Sequence, residues 1–269
     1  MSMERYRVRP GAKLRLSQLD PDDTGDFEGK KKKALAESSE LSVRLERLQE
    51  LLWACQSRSV LVVLQGIDSA GKDGTIRHVF EGVNPQGVRV ARFVPPTAVE
   101  RAHDFLWRVH PHTPARGEIT IFNRSHYEEV LVVRVDHLEP RSEWMRHYRA
   151  INDFERTLVE SGTIVLKFFL HISFDEQRRR LEERLRDRTK HWKFSSSDLP
   201  ERRRWPQYRR AFEEMLEKTS TDLAPWYVVP SNYRWYRNLV VSTVLVEALE
   251  QLHLKWPPLP AGFRSTVVR

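Results

Sequence analysis

The sequence predicts an α/β fold, a parallel five-stranded sheet with helices on both faces. Three observations predict it. Short apolar, β-branched runs alternate with longer amphipathic stretches, as in strands joined by helical crossovers. The runs are apolar at consecutive positions, as strands covered on both faces are. The first of them leads into a glycine-rich turn and then a helix, the place where a doubly wound sheet holds its ligand.

Residues 1–29 are polar, with DPDDTGDFEG in their second half, and read as an extended arm. Residues 30–56 fit an amphipathic helix, since Leu41, Leu45, Leu48 and Leu52 recur at helical spacing. VLVVLQ (60–65) is the first strand, and a helix follows from about residue 74. GVRVARF (87–93) is the second strand, TAVERAHDFLWRVH (97–110) a helix candidate, and EITIFN (118–123) the third strand. Residues 141–161 read as a helix with Trp144, Tyr148, Ile151 and Leu158 on one side. TIVLKFFLHI (163–172) is the fourth strand. Ser173 caps the next helix, and Glu176 three residues on completes a capping box. PWYVVP (225–230) is the fifth strand, and a last helix at 234–254 turns Val241, Leu245, Leu249 and Leu252 inward. With no repeats and no low-complexity linker, residues 30–269 are expected to form one domain behind the arm.

The chain has 269 residues, 40% hydrophobic and 30% charged, a globular composition. Its 45 Lys+Arg against 37 Asp+Glu give a net charge of +8. Residues 178–210 hold 13 basic and 5 acidic residues, so this one window carries the whole excess. Cys55 is the single cysteine, which excludes an internal disulfide and a cysteine-cluster metal site. No signal-like apolar core opens the chain, and no uncharged apolar run approaches the ~20 residues a membrane span needs. A cytoplasmic protein without membrane attachment is expected.

The most informative stretch is GIDSAGKDGT (66–75), with the G-x4-G-K spacing of a P-loop in the required strand–turn–helix context. Gly66 and Gly71 permit backbone geometry in which the N–H groups of Ser69, Ala70, Gly71 and Gly74 converge on a phosphate. The helix N-terminus adds partial positive charge, and Lys72 a full one. The usual hydroxyl residue after the lysine is replaced by Asp73, and Asp68 lies inside the loop. A carboxylate in a phosphate cradle implies an intervening divalent cation, so Asp68 is a Mg²⁺ ligand candidate. Asp73 is either a second ligand or a residue stabilised at a helix N-terminus.

The second constellation is NRSHYEE (123–129), at the carboxyl end of the third strand. Asn123 stands where a plain Walker B strand would end in Asp. Arg124 has the planar fork that matches phosphate oxygens. His126 is either a general base or a core histidine. The third element is the basic window, where Trp192, Phe194 and Trp205 interleave with the cations. Its charge imbalance argues against a self-paired helix face. The pattern suits single-stranded nucleic acid or a polyanion without bases.

Several motifs together resemble the polyphosphate kinase 2 family. They are GIDSAGKDGTIR (66–77), FNRSHYEEVLVVRV (122–135), KFFLHIS (167–173), EQRRRLEER (176–184) and HWKFSSSDLPER (191–202), with APWYVVP (224–230) and NYRWYRN (232–238). The resemblance runs from about residue 20 to residue 254. It implies a three-layer P-loop kinase fold like thymidylate kinase, with a helical lid at about 185–210. It implies Mg²⁺, or Mn²⁺ in its place. Lys72 and Asp68 would be the loop's phosphate and metal residues, and Arg124, Arg180 and Arg184 would clamp phosphates. The nucleotide and phosphate set would include Asn123, Glu128 and Arg134, with Glu128 a further candidate for metal or AMP. Lys190, Lys193, Arg202 and Arg203 of the lid would hold polyphosphate. The resemblance also implies a homodimer or homotetramer, with the 30–56 helix as a contact.

The expected function is transfer of the terminal phosphoryl group of polyphosphate to AMP or ADP, with guanine nucleotides as further acceptors. FNRSHYEEVLV resembles the class III subgroup, which phosphorylates both AMP and ADP. The acceptor is already a phosphate oxygen, so positioning and charge neutralisation suffice without a general base. Two other readings stand beside it: an ATP-dependent nucleoside monophosphate kinase on the same fold, and a nucleic-acid-binding P-loop protein.

Overall fold

In the computed structural model, which describes residues 3–194 and 198–259, five strands form one parallel sheet. They are β1 (Ser59–Gln65), β2 (Val88–Arg92), β3 (Ile119–Asn123), β4 (Thr163–His171) and β5 (Trp226–Pro230), in the order β2-β3-β1-β4-β5. The helices are α1 (Lys31–Cys55), α2 (Lys72–Val79), α3 (Ala98–Arg101), α4 (Glu128–Val135) and α5 (Arg141–Glu160). They continue with α6 (Phe174–Arg186), α7 (Asp198–Arg203), α8 (Trp205–Thr219) and α9 (Arg234–Glu250).

The three layers follow from the two-residue period of β1. Val60, Val62 and Leu64 enter one core with Leu45 and Leu52 of α1, Val79 of α2, and Val241, Leu245 and Leu249 of α9. Leu61 and Val63 enter the opposite core with Val130 and Leu131 of α4, Ile151 of α5, and Phe212 and Met215 of α8. All seven β1 residues are buried, which explains its unbroken apolar run. Neither face of the strand meets water.

Two local expectations change. The 97–110 stretch forms only α3 as helix, opened by a complete capping box on Thr97. Beyond it the Asp104 carboxylate accepts from the Leu106 N–H at 3.0 Å, a local bond that competes with helix continuation. At α6, Ser173 caps the Glu176 N–H at 3.0 Å, but the Glu176 carboxylate turns to Arg179 and Arg180 instead of closing the box.

Residues 3–29 are not a free arm. Met3, Tyr6, Val8 and Leu16 are buried, and Val8 N–H bonds the Trp226 carbonyl at 2.8 Å. An antiparallel bridge between Arg7 and Tyr227 covers the outer edge of β5 and so shields its unpaired backbone groups. No helix among the described residues is long and apolar enough to cross a membrane.

Candidate active site

The site lies at the carboxyl ends of the strands, around the loop between β1 and α2. Gly71 has φ +109°, a left-handed value that a side chain would strain. A Cβ on Gly66 would come within 2.8 Å of the Leu170 carbonyl oxygen, so β4 fixes how the loop leaves the sheet. Ser69 also has positive φ, and its buried hydroxyl has no partner among the described residues. That orphaned hydroxyl suits a loop built to meet a phosphate. Lys72 Nζ turns back onto the Gly66 carbonyl at 2.7 Å. Burial, and then Arg124, push its pKa down to about 8.

Arg124 follows β3 with φ +60° and reaches across to the loop. Its Nη2 bonds Asp68 Oδ1 at 2.5 Å, and its Nη1 lies 3.4 Å from Glu128 Oε2. Burial opposes the Arg124 charge, but Glu128 and Asp68 outweigh it and raise its pKa. Burial would likewise raise Asp68, yet Arg124, then Glu201, Lys72 and Arg184, hold it down to about 2. Asp68 is therefore an ionised carboxylate at neutral pH.

Asn123 donates to Asp73 Oδ1 at 2.8 Å, while Lys193 lies 3.2 Å from Asp73 Oδ2. Asp73 thus joins the start of α2, the end of β3 and the 188–193 segment. An aspartate at 123 would face the Asp73 carboxylate; the amide makes this junction attractive.

The loop and these residues line a cleft of about 1470 Å³. Near β2, α3 and α4 its walls mix apolar side chains, Val94, Pro95, Phe105, Val132, Val133 and Leu138, with charged ones that include Arg92, Arg101 and Arg108. Near β4 and β5 they include Arg180, Arg184, Lys190, Lys193, Arg234 and Arg237. Glu129 lies in the α4 wall, and burial followed by Glu139 raises its pKa to about 7. No group of three or more His, Cys, Asp or Glu side chains gathers to hold a metal among the described residues. Asp68, with Glu128 reached through the same arginine, offers the sparse carboxylate set of a Mg²⁺ held largely by substrate phosphates.

The sequence profile of polyphosphate kinase 2 (PPK2) matches residues 28–256. The chain belongs to the polyphosphate kinase 2 family. It is 56% identical over 266 residues to the AMP/ADP-polyphosphate phosphotransferase of Meiothermus ruber, covering 99% of this chain and 100% of that one. It is 36% identical to the GDP-polyphosphate phosphotransferase of Mycobacterium tuberculosis, over 84% of this chain and 78% of that one. The crystal structure of polyphosphate kinase 2 from Arthrobacter aurescens TC1 superposes with a TM-score of 0.90 at 43% identity, covering 94% of this chain and 90% of that one.

On this polyphosphate kinase 2 framework the expected residues divide. Asp68, Ser69, Gly71, Lys72, Asp73, Gly74, Asn123, Arg124, Glu128, Arg184, Lys190 and Lys193 all line the cleft. Arg180 lines it too, but its donors are spent. Nε bonds Glu176 at 2.6 Å, Nη1 bonds the Ser69 and Ala70 carbonyls, and Nη2 bonds those of Ser231 and Asn232. It clamps the loop backbone instead of offering a free fork to phosphate. Gln177, one turn earlier on α6, bonds the Asp68 carbonyl at 3.1 Å and shares that task.

Three expectations are corrected by position. Arg134 faces away from the cleft, bonding Glu214 of α8 at 2.6 Å with its guanidinium 4.8 Å from the centre of the Trp144 ring. Arg202 bonds the Phe174 carbonyl and Gln177, lying 3.4 Å from the centre of the Phe174 ring at the foot of α6. Arg203 is exposed and outside the cleft lining. Residues 195–197 of the lid motif lie outside the described residues.

His126 is a core histidine. It is buried, has its pKa lowered by burial, and lies outside the cleft lining. Beside it Lys167 donates to Glu155 at 2.6 Å, to the Tyr127 hydroxyl at 2.9 Å and to the Thr219 carbonyl at 2.6 Å. This buried network anchors the 123–129 turn to β4, α5 and α8. Sequence reasoning missed it, although a lysine inside an apolar strand signals a partnered buried charge.

Proposed function

We propose that this enzyme transfers the terminal phosphoryl group of inorganic polyphosphate to AMP and to ADP, forming ATP reversibly. The observation that carries the proposal is the phosphate loop with Lys72, Asp68 and Arg124 in a cleft lined by guanidinium and ammonium groups, with apolar side chains gathered near β2 and α4. The whole-length similarity to the Meiothermus ruber phosphotransferase supports the same reading. The apolar side chains near β2 and α4 suit the acceptor nucleoside. The β4–β5 side offers guanidinium and ammonium groups along a path that suits a chain of phosphates.

In this reading the loop amides and Lys72 bind the transferred phosphoryl group and neutralise its charge, while Arg124 steadies it from the β3 side. Arg184, Lys190 and Lys193 hold the donor chain, and Arg180 keeps the loop in shape. Asp68 holds Mg²⁺, with Mn²⁺ as a substitute and Glu128 as a further carboxylate; when bound, the metal neutralises phosphate oxygens. Asp73 is assigned the junction with Asn123 and Lys193 rather than a metal. No side chain has to take a proton from the acceptor, whose phosphate oxygen is already ionised.

Residues 30–269 are read as the kinase domain, acting in the cytoplasm where nucleotide acceptors are available. Assembly as a homodimer or homotetramer through α1 is part of the proposal, and light scattering tests it.

The deciding experiment is a donor-by-acceptor matrix of polyphosphate and ATP against AMP, ADP, GMP and GDP. Turnover with polyphosphate and both adenine nucleotides is expected. Turnover with ATP as donor and none with polyphosphate would overturn the proposal in favour of an ATP-dependent nucleoside monophosphate kinase.

A further inference from the structure

Among the cations on the β4–β5 side of the cleft, Arg237 is the one that is buried without a carboxylate partner among the described residues. It stands in the first turn of α9 and is 2% exposed. Its side chain finds one acceptor, Asn238 Oδ1, bonded by Nε at 3.0 Å and by Nη2 at 2.7 Å. Among the described residues no carboxylate pairs with it. Burial first, and then Arg180 and Arg234, lower its pKa to about 9, so it remains charged at neutral pH. The two neighbouring guanidiniums are compensated: Arg180 by Glu176 at 2.6 Å and Arg234 by Glu183 at 2.8 Å. A buried charge without water or a counter-ion is strongly unfavourable. A fold that keeps one beside a phosphate loop is arranged for an anion that arrives later.

The seat of the guanidinium supports this. A Cβ on Gly71 would lie 2.0 Å from Arg237 Nη1, and one on Gly74 would lie 3.5 Å from Nη2. Gly71 therefore serves two purposes: it frees the loop backbone, and it leaves the space that Nη1 occupies. The Asn238 amide oxygen grips the Nε and Nη2 edge and fixes the plane of the group, while Nη1 has no hydrogen-bond partner among the described residues. Arg237 lines the same cleft as Asp68, Ser69, Gly71 and Lys72. The strand order sets its side: Arg124 follows β3 on one side of β1, and Arg237 follows β5 on the other.

We propose that Arg237 is a phosphate-binding residue of the donor site, gripping the polyphosphate chain at the loop from the β5 side, opposite Arg124. The proposal rests on the reading of the enzyme as a polyphosphate-dependent kinase. It also explains why two more guanidiniums, those of Arg180 and Arg234, stand beside an unpaired one. Together they continue the positive path from Lys72 toward α6, where a phosphate chain finds charge at each step.

The test uses Arg237→Met and Arg237→Lys in the full chain, with two readouts. The first is steady-state kinetics with polyphosphate as donor and ADP as acceptor. The second is the rise in Tm on adding inorganic triphosphate, which needs no turnover. For Arg237→Met, the polyphosphate KM should rise at least about tenfold, the magnitude of one lost charge-assisted hydrogen bond, while the ADP KM stays within about twofold. Its unliganded Tm should equal or exceed that of the parent, because an uncompensated charge has been removed, and its triphosphate shift should shrink. Arg237→Lys should restore part of both. A full triphosphate shift in Arg237→Met overturns the proposal, as does a lower unliganded Tm with both KM values raised equally, the pattern of a merely structural arginine. If the parent uses only ATP as donor, the functional reading fails, and the triphosphate shift still decides whether Arg237 binds phosphate.

Discussion

Lys72 combines two properties that meet in one side chain: it is the loop's full positive charge, and it is buried enough for its pKa to fall to about 8. Lys72→Ala should lower turnover by ~10² or more, the scale for a lost charge-stabilising group, with an unchanged melting profile. The depressed pKa adds a pH dependence whose sign follows from the charge. The free enzyme carries the ammonium below pH 8 and loses it above. Polyphosphate KM should therefore be flat on the acid side and rise roughly tenfold between pH 7 and 9. Bound phosphate raises the lysine pKa, so kcat should change less than KM. Initial rates across that range check both statements; a KM independent of pH would remove Lys72 from phosphate binding. At this scale the motif residues were legible, because loop spacing dictates where their side chains point. Arg180, Arg134 and Arg202 were not, because a guanidinium reads the same in sequence whether it meets a phosphate, a carboxylate or a backbone carbonyl.

The helices and strands show the same division. All five strands and the long helices α1, α5 and α9 follow from period and composition. α4 was hidden inside the FNRSHYEEVLVVRV motif, and the 97–110 stretch was overread because Asp104 closes a turn that periodicity does not register. The larger omission is the Lys167 network, which belongs to no single element. Lys167 and Glu155 are both buried, and removing one partner leaves an uncompensated charge. Lys167→Met should cost about 3–5 kcal/mol, whereas the double variant Lys167→Met/Glu155→Leu should recover much of that loss. Urea unfolding of the two variants beside the parent measures it. The Tyr127 hydroxyl bonds Glu155 Oε1 at 2.6 Å, so the single variant should also loosen the turn that carries Arg124 and raise the KM of both substrates.

Across the whole molecule the +8 net charge looked like the property of one window, and the structure redistributes it. Arg178, Arg179 and Arg180 pair with Asp175 and Glu176, just outside the window, and Lys193 and Arg204 pair with Asp73 and Asp136. Counting along the chain separated charges that the fold places together. Of the window's basic residues, only Arg180, Arg184, Lys190 and Lys193 line the cleft, which draws Arg77, Arg92, Arg101, Arg108, Arg234 and Arg237 from elsewhere. The donor surface is therefore a property of the assembled sheet. A long polyanion senses that whole field, whereas a mononucleotide senses part of it. Raising ionic strength from 0.05 to 0.5 M should raise the polyphosphate KM more steeply than the ADP KM, because screening shortens the reach of the field. Parallel titrations with salt compare them, and equal slopes would argue against an extended donor path.

The arm at residues 3–29 has a consequence in time. The Tyr6 hydroxyl lies 2.8 Å from that of Tyr236, Asn232 N–H bonds the Pro21 carbonyl, and Ser220 Oγ bonds the Val8 carbonyl at 2.6 Å. Residues 6–21 are thus seated by residues 220–236, more than 200 positions further along the chain. β1, β3 and β4 can pair while the chain is still growing. The arm has to wait until β5 and the start of α9 emerge, and these carry Arg237 and the carbonyls that Arg180 grips. Contacts of such sequence separation form slowly, so catalytic competence should come late in folding, gained when residues 3–29 close on β5 and the start of α9.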